Sequence, residues 1–395
     1  MNIIITVNKF NPNFDGVQFV THYLAKGLVE LGHHVIVITS SFTRIPAEKE
    51  EVIDGIVVYR LPIQTKHTFH LGNKKEYQSI IVNKCKDTDC LINVGTQSPF
   101  TDWLFPVLDK IQCKKILYLH SIWDFKWHLD NFSSLKSFSG KILANFRWRL
   151  YYFKNKKSFL KYNKVTQLHE KDYSNTFFQK KYGINSVIIE NAADSMFFTE
   201  KKVNISLPYK RYGICVANFI ERKNQWLAID SFLKSNIDPT IVMVFIGSKK
   251  TKYLEQLQKK TIKLRKKLGL KQDLKRIDFL FGIPRETVSE YVKGASFYLL
   301  TSKWEAYPIS LIESMAAGVP FISTDVGIVK YLGTGIVSSK KDLTFWIEKI
   351  NDDVLLHDSI SFIEKKVSLE KYQIVSKVKQ LNDLIMEVCS NEARK

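Results

Sequence analysis

The chain has 395 residues, long enough for two or three domains, and 45% of them are hydrophobic, enough to fill two cores. No apolar run reaches the roughly eighteen residues that a bilayer span requires. The five cysteines (Cys85, Cys90, Cys113, Cys215, Cys389) are an odd, scattered set without a Cys-x-x-Cys pair, which excludes a disulfide-built scaffold and points to reduced cytosolic thiols.

In chain order, Met1–Val7 reads as a first strand and not as a signal peptide, since it lacks a basic region and a small-residue cleavage site. The segment Asn11-Pro-Asn-Phe-Asp-Gly16 then opens a helix over Val17–Leu31, which Gly32 stops, and His34–Thr39 is strand again. Asp87-Thr-Asp89 has the Asp-x-Asp form of a metal-binding pair, but it precedes the strand Cys90–Val94, at the end of a sheet opposite to its ligand edge. It reads as a solvated turn. A further strand, Lys115–His120, is closed by His120, which is expected at the ligand edge of the sheet.

The net charge of +20 is concentrated in part in Lys126–Lys164, where about ten basic residues meet a single acid, Asp130. Trp127, Phe132, Phe138, Phe146, Trp148, Tyr151, Tyr152 and Phe153 are interleaved with them. Cations beside aromatics suit an anionic membrane surface; the same pattern also describes an amphipathic helix whose aromatics are core. Lys249–Arg276 is comparably basic, has few aromatics and reads as one exposed helix. No zinc, RNA-binding or helix-turn-helix pattern accompanies the charge, so no nucleic-acid partner is expected.

Around Asp194–Tyr212, Lys, Asn and Pro interrupt the pattern and mark a join. A second alternation follows, with strands at Gly213–Ala217, Ile241–Gly247, Ile277–Phe281 and Ala295–Thr301. Alternating strands and helices in both halves predict an α/β protein of two Rossmann-like domains with parallel sheets. The expected divisions are residues 1–193, 194–368 and a terminal helix in 369–395, with Leu369–Cys389 periodic enough to be that helix.

The most informative run is Ser302–Pro320. Ala295–Thr301 is a buried strand, Pro308 suits a first helical turn, and Gly318 followed by Pro320 ends the helix after Ala317. Glu305 therefore lies on the loop at a strand's C-terminal end and Glu313 on the following helix, along the edge where doubly wound proteins bind ligands. Ser302, Glu305, Tyr307, Pro308, Glu313, Met315, Ala316, Gly318, Pro320 and Gly327 resemble the E-x7-E signature of retaining GT-B glycosyltransferases of the family 4 group.

The resemblance implies two Rossmann-like domains facing across a cleft, an acceptor-side N-terminal domain, a nucleotide-sugar-side C-terminal domain, and a last helix returning to the N-terminal domain. It gives Glu313 the ribose hydroxyls and Glu305 the donor sugar hydroxyls. The backbone at Tyr307, Pro308, Ile309 and Ser310, together with Lys223, falls to the leaving diphosphate. By the same resemblance His120 hydrogen-bonds the donor sugar, and Gly16 lies on the loop that reaches donor phosphates or sugar. Asn191 and Asp194 match a conserved family segment, with Ala192 in place of its glycine. Gly247 and Gly282 match glycines that let a nucleotide approach, though both also read as strand-end turns.

One departure stands out. Asn218 replaces the first of two cations that the family places on the diphosphate, and Arg222 is the candidate to compensate. The implied reaction is transfer of a sugar from a nucleoside diphosphate donor to a glycan or polyprenyl-linked acceptor in surface polysaccharide assembly. It needs no cofactor and no metal, and is set in the cytoplasm at the inner membrane face. The alternatives are a catalytically silent GT-B subunit that binds a partner, or a GT-B sugar isomerase or phosphorylase.

Overall fold

Short β-branched and apolar runs in both halves of the chain form strands, and the helices between them carry the chain back for parallel pairing. The computed structural model describes residues 1–12, 16–42, 47–66, 69–199, 208–271 and 273–390, apart from the Leu129 side chain. It divides into a first unit, Met1–Glu190 with Lys377–Lys395, and a second, Asn191–Ser376.

The first unit holds β1 (Asn2–Thr6), β2 (His34–Ser40), β3 (Glu50–Ile53), β4 (Ile56–Leu61), β5 (Gln64–Lys66), β6 (Phe69–Leu71), β7 (Cys90–Val94), β8 (Lys114–Tyr118), β9 (Lys164–Gln167) and β10 (Val187–Ile188). Its main sheet has the order β10-β9-β8-β7-β1-β2-β4-β3, parallel except for β3, and β5 and β6 form a separate hairpin. All five residues of β7 are buried, the signature of a parallel strand covered on both faces. The second unit holds β11 (Tyr212–Val216), β12 (Val242–Gly247), β13 (Ile277–Phe281), β14 (Phe297–Leu300), β15 (Phe321–Thr324) and β16 (Ile336–Ser338). These form one wholly parallel sheet in the order β13-β12-β11-β14-β15-β16. Each unit is thus a doubly wound α/β layer. Strand order reverses between β1 and β7 in the first and between β11 and β14 in the second, and such reversals open a crevice at the strands' C-terminal ends.

Several expectations are corrected. The join expected over Asp194–Tyr212 includes residues 200–207, which lie outside the described residues, and the division between units falls at Glu190/Asn191. The helix expected over Leu369–Cys389 is the end of one helix, Val354–Lys371, and then a second, Ile374–Ser390. The break is made at Tyr372, whose backbone leaves helical values and whose carbonyl accepts from the Ala193 N–H at 2.9 Å. The basic stretch Lys249–Arg276 is a helix only over Lys252–Lys267, and it buries Leu254, Leu257 and Thr261.

From Lys377 onward the last helix belongs to the first unit. It is held there by Asn382 to His33 at 2.7 Å, Glu387 to Lys164 at 2.9 Å and the apolar contact of Val378 with Gly27. A Cβ at Gly27 would lie 2.4 Å from a methyl of Val378, and a β-branched side chain has little freedom to yield. Gly27→Ala is therefore expected to cost about 1–3 kcal/mol through overpacking and to lower the melting temperature. Gly27→Ala with Val378→Ala should recover most of the loss, as read by thermal denaturation.

Candidate active site

The loop after β14 is built by its own polar side chains. Thr301 donates to the Asn224 carbonyl at 3.0 Å, Thr324 donates to the Ser302 carbonyl at 3.0 Å, and the Lys303 amide donates to the Arg222 carbonyl at 2.8 Å. Gly327 closes this frame. Its φ is +55°, and a Cβ there would lie 2.4 Å from the Ala306 carbonyl oxygen, so only glycine lets the next loop pass so near. The frame buries Glu305, 7% exposed, at the crevice between β11 and β14.

A buried carboxylate needs a counter-charge and hydrogen bonds. Glu305 has both: Lys223 Nζ lies 2.5 Å from its Oε1, and Ser302 donates to the same oxygen at 2.6 Å. Lys223 comes from the other side of the strand reversal, in a 3-10 turn (Glu221–Lys223) after β11 that Asn224 ends with φ +49°. The neighbouring Cys215 thiol is pushed up to about 12 by burial and stays protonated.

The helix Ile309–Ala316 follows, with Pro308 at its N-cap and Gly318 in the left-handed region at φ +68°. Pro308 offers no side-chain cap and the first turn carries no acid, so the helix N-terminus at Ile309 and Ser310 keeps its capacity for an anion. Tyr307 is buried, and its carbonyl accepts from Asn191 Nδ2 at 3.3 Å. Glu313 is 4% exposed. Arg285 Nη2 hydrogen-bonds its Oε1, while Arg285 Nε lies 3.8 Å from Asp194 and the guanidinium lies over the Phe197 ring at 5.6 Å. Burial pushes the Glu313 carboxyl up and Arg285 pulls it back only in part.

The structure thus gathers Glu305, Lys223, Glu313 and the Tyr307–Ser310 segment on the strand-end loops of the second unit. Other expected residues fare differently. Arg222 is exposed, with its guanidinium 5.2 Å from the Trp304 ring, and no contact joins it to Glu305. The Asn218 carbonyl accepts from Gln225 Nε2 at 3.0 Å and caps the same loop. Gly247 makes room for protein, since a Cβ there would lie 2.6 Å from the Phe219 ring. Gly282, at φ +68°, is a strand-end turn whose amide donates to the Gly247 carbonyl at 3.2 Å. Arg285 was not foreseen; its one sequence signal is a cation just past Gly282-Ile-Pro284, at the ligand edge of β13.

In the first unit, Gly16 begins the helix Gly16–Glu30, while Asn13–Asp15 of the expected donor loop lie outside the described residues. His120 is two residues past the end of β8, not its last residue, and its ring turns inward. Its Nε2 is buried, without a hydrogen-bond partner among the described residues, and it lines a small, mostly apolar pocket with Ile5, Val20, Thr21, Tyr118 and Leu381. Burial lowers its pKa to about 4, so the ring is neutral. Asp89 and Asp87 serve the sheet's other end, where the Asp89 carboxylate and the Asp87 carbonyl accept from Asn2.

These two doubly wound units define the GT-B fold, and the solved structures that resemble the chain share it. Sucrose-phosphate synthase of Thermosynechococcus elongatus aligns with a TM-score of 0.74 at 14% identity, covering 98% of each chain. HepE of Anabaena, solved with UDP and glucose, aligns with a TM-score of 0.66 at 13% identity, covering 98% of this chain and 100% of its own. Residues 197–377 match the family model for glycosyl transferases group 1, and residues 14–160 match that for Glycosyltransferase Family 4. Both matched models describe glycosyltransferases, one in each half of the chain, and with the shared fold they support a glycosyltransferase of the GT-B type. An uncharacterized glycosyltransferase of Methanocaldococcus jannaschii is 26% identical over 113 residues, a match spanning 28% of this chain and 25% of that protein.

Lys223 and Glu305 form a partly buried pair, so each single removal strands the other charge. A double-mutant cycle of Lys223→Met and Glu305→Gln, read by chemical denaturation, should show a coupling of about 1–3 kcal/mol. Each single variant should be less stable than additivity with the double predicts.

Proposed function

We propose that the chain is a retaining glycosyltransferase that moves a sugar from a nucleoside diphosphate donor to a glycan or polyprenyl-linked acceptor in surface polysaccharide assembly. The observation that carries the proposal is the pair of buried, cation-matched glutamates on strand-end loops of the second unit, with Glu305 and Lys223 astride its strand reversal. Carboxylates accept hydrogen bonds from hydroxyls and repel diphosphate, and the family resemblance gives Glu313 the ribose and Glu305 the donor sugar. Lys223 and the N-terminus of the helix Ile309–Ala316 take the leaving diphosphate, where a charge-assisted bond is worth about 1.5–3 kcal/mol. The resemblance gives His120 a donor sugar hydroxyl, but its Nε2 is buried among apolar side chains of the first unit, so this role requires the ring to turn outward. Gly16, at the start of its helix, takes donor phosphate or sugar.

The acceptor oxygen attacks the anomeric carbon on the face from which the diphosphate departs. The electron pair of the broken carbon–oxygen bond goes to the diphosphate, which takes the acceptor's proton, and anomeric configuration is kept. This route needs neither a separate base nor a metal. UDP and glucose, bound to HepE in its solved structure, are the first donor components to test.

A lipid-borne acceptor at the inner face of the cytoplasmic membrane is supported by the helix Leu135–Lys154. Its inner face is tied to the first unit: Tyr151 donates to Asp102 at 2.6 Å, Trp123 donates to Asn145 at 2.8 Å, and Tyr152 is core. Its outer face leaves Leu135, Leu143, Phe146 and Phe153 between 68% and 84% exposed, among Lys136, Arg149 and Lys154. The aromatics are therefore shared between a core face and an exposed face. No described helix is long and apolar enough to cross a membrane. Apolar side chains entering the headgroup region, each nearby cation adding about 1 kcal/mol, suit an anionic bilayer.

Asn218 in place of a cation favours one rival, a silent subunit that binds a partner. Activity decides between them. Glu305→Ala should lower kcat/KM by about 100-fold or more, and Glu313→Ala should weaken nucleotide binding by roughly 10- to 100-fold. A panel of UDP, GDP and ADP should give a melting shift with one nucleotide class that EDTA leaves unchanged. NMR of the product should show the donor's anomeric configuration. No shift with any nucleotide would move the assignment to the silent subunit, and transfer that survives both substitutions would overturn the roles given to Glu305 and Glu313.

The surface is tested by co-sedimentation with vesicles. Phosphatidylcholine vesicles containing phosphatidylglycerol should retain the protein at low salt, and pure phosphatidylcholine should not. Phe146→Ser with Phe153→Ser should release it while leaving its melting temperature within about a degree, because exposed side chains contribute little to folding.

A further inference from the structure

Arg285 opens the helix Arg285–Lys293 just after β13, and it lies between two acids, Glu313 and Asp194. Its side chain is 35% exposed, whereas that of Glu313 is 5% exposed. We propose that Arg285 is a positioning residue: it holds the Glu313 carboxylate ionised and turned toward the ribose hydroxyls of the donor nucleotide. The proposal rests on the reading of Glu313 given above.

The geometry favours a positioning role over direct contact with the diphosphate. Nη2 is committed to Glu313 Oε1, Nε faces Asp194, and the guanidinium plane lies against Phe197. These contacts hold the arginine from three sides, so it presents one fixed hydrogen bond to the glutamate. Glu313 has little else to stabilise its charge. The charged and titratable groups that face it among the described residues are Arg285, Asp194 and the Tyr298 hydroxyl of β14. Asp194 disfavours a second negative charge, and Tyr298 already donates to the Val216 carbonyl at 3.1 Å. The helix Val354–Lys371 also packs on the Glu313 helix, but its buried acid, Glu364, serves the Phe321 amide instead. Burial and Asp194 both push the Glu313 carboxyl up, and Arg285 alone pulls it down.

A carboxylate can accept from two ribose hydroxyls at once, whereas the protonated acid spends one oxygen as a donor. Binding through Glu313 therefore requires the ionised form. Without Arg285 the Glu313 carboxyl rises further, and ionisation is lost as pH falls through this raised value. Weakened binding should then recover toward alkaline pH.

The test is calorimetric titration of the full chain with UDP, GDP and ADP between pH 5.5 and 8.5. The wild type, Arg285→Ala, Arg285→Lys, Arg285→Gln and Glu313→Gln are compared, and the nucleotide that binds wild type most tightly is followed. Arg285→Ala should bind roughly 10- to 100-fold more weakly near pH 6 and regain most of that loss by pH 8.5. Arg285→Lys should restore binding in large part. Arg285→Gln keeps a donor but not the charge; it should show the same pH dependence, and it stands in if the alanine variant does not fold. Glu313→Gln should bind weakly at every pH.

Equal weakening at all pH values in the Arg285 variants, without rescue by lysine, would reduce Arg285 to a structural clamp and overturn the proposal. So would wild-type binding by Arg285→Ala. Wild-type binding by Glu313→Gln would instead overturn the reading of Glu313 on which the proposal rests.

Discussion

Two carboxylates with almost no access to water can keep their charge only if cations reach them, and the candidate active site is organised around that demand. Glu305 and Glu313 lie within one short loop and helix, yet their partners come from elsewhere in the second unit. Lys223 arrives from the end of β11 and Arg285 from the end of β13. Parallel strand order makes this possible, because it brings loops distant in sequence to a single edge. The paired charges then tie three strand-end loops together, and Ser302, Asn191 and Gly327 complete the frame. Removing the sheet's order would leave both acids buried without compensation.

The glutamates do not share one environment. Glu305 shares one oxygen between Lys223 and Ser302, beside a helix N-terminus that offers positive potential. Glu313 sits deeper, on the helix itself, where burial works against its ionisation and Arg285 opposes burial. Eight residues of spacing thus place similar groups in dissimilar fields.

Much of this was legible before any coordinates. The strands Cys90–Val94 and Ile277–Phe281 are read to the residue, because short, mostly apolar runs bounded by polar residues are too brief for a helix. The loop–helix–stop of Ser302–Pro320 was equally plain from Pro308 and Gly318. What stayed hidden was tertiary. Nothing local to Arg285 tells that it reaches Glu313, and Arg222, closer in sequence to Lys223, lies against Trp304 instead. Nor does a strand-end histidine announce which way it turns: His120 follows its strand by two residues and faces inward. The basic aromatic stretch defeated a single assignment because one helix carries both a core face and an exposed one.

The last helix has a bearing on how the chain comes into being. The first unit is discontinuous: Met1–Glu190 is made early, whereas Val378, Asn382 and Glu387, which cover Gly27, His33 and Lys164, are made some two hundred residues later. During synthesis the helix Gly16–Glu30 must therefore wait with part of its apolar face uncovered, while the whole second unit is translated. Long-range closure of this kind is slow and leaves hydrophobic surface open to chaperones or to aggregation. The helix Ile374–Ser390, made long after the strands it covers, thus completes the first unit.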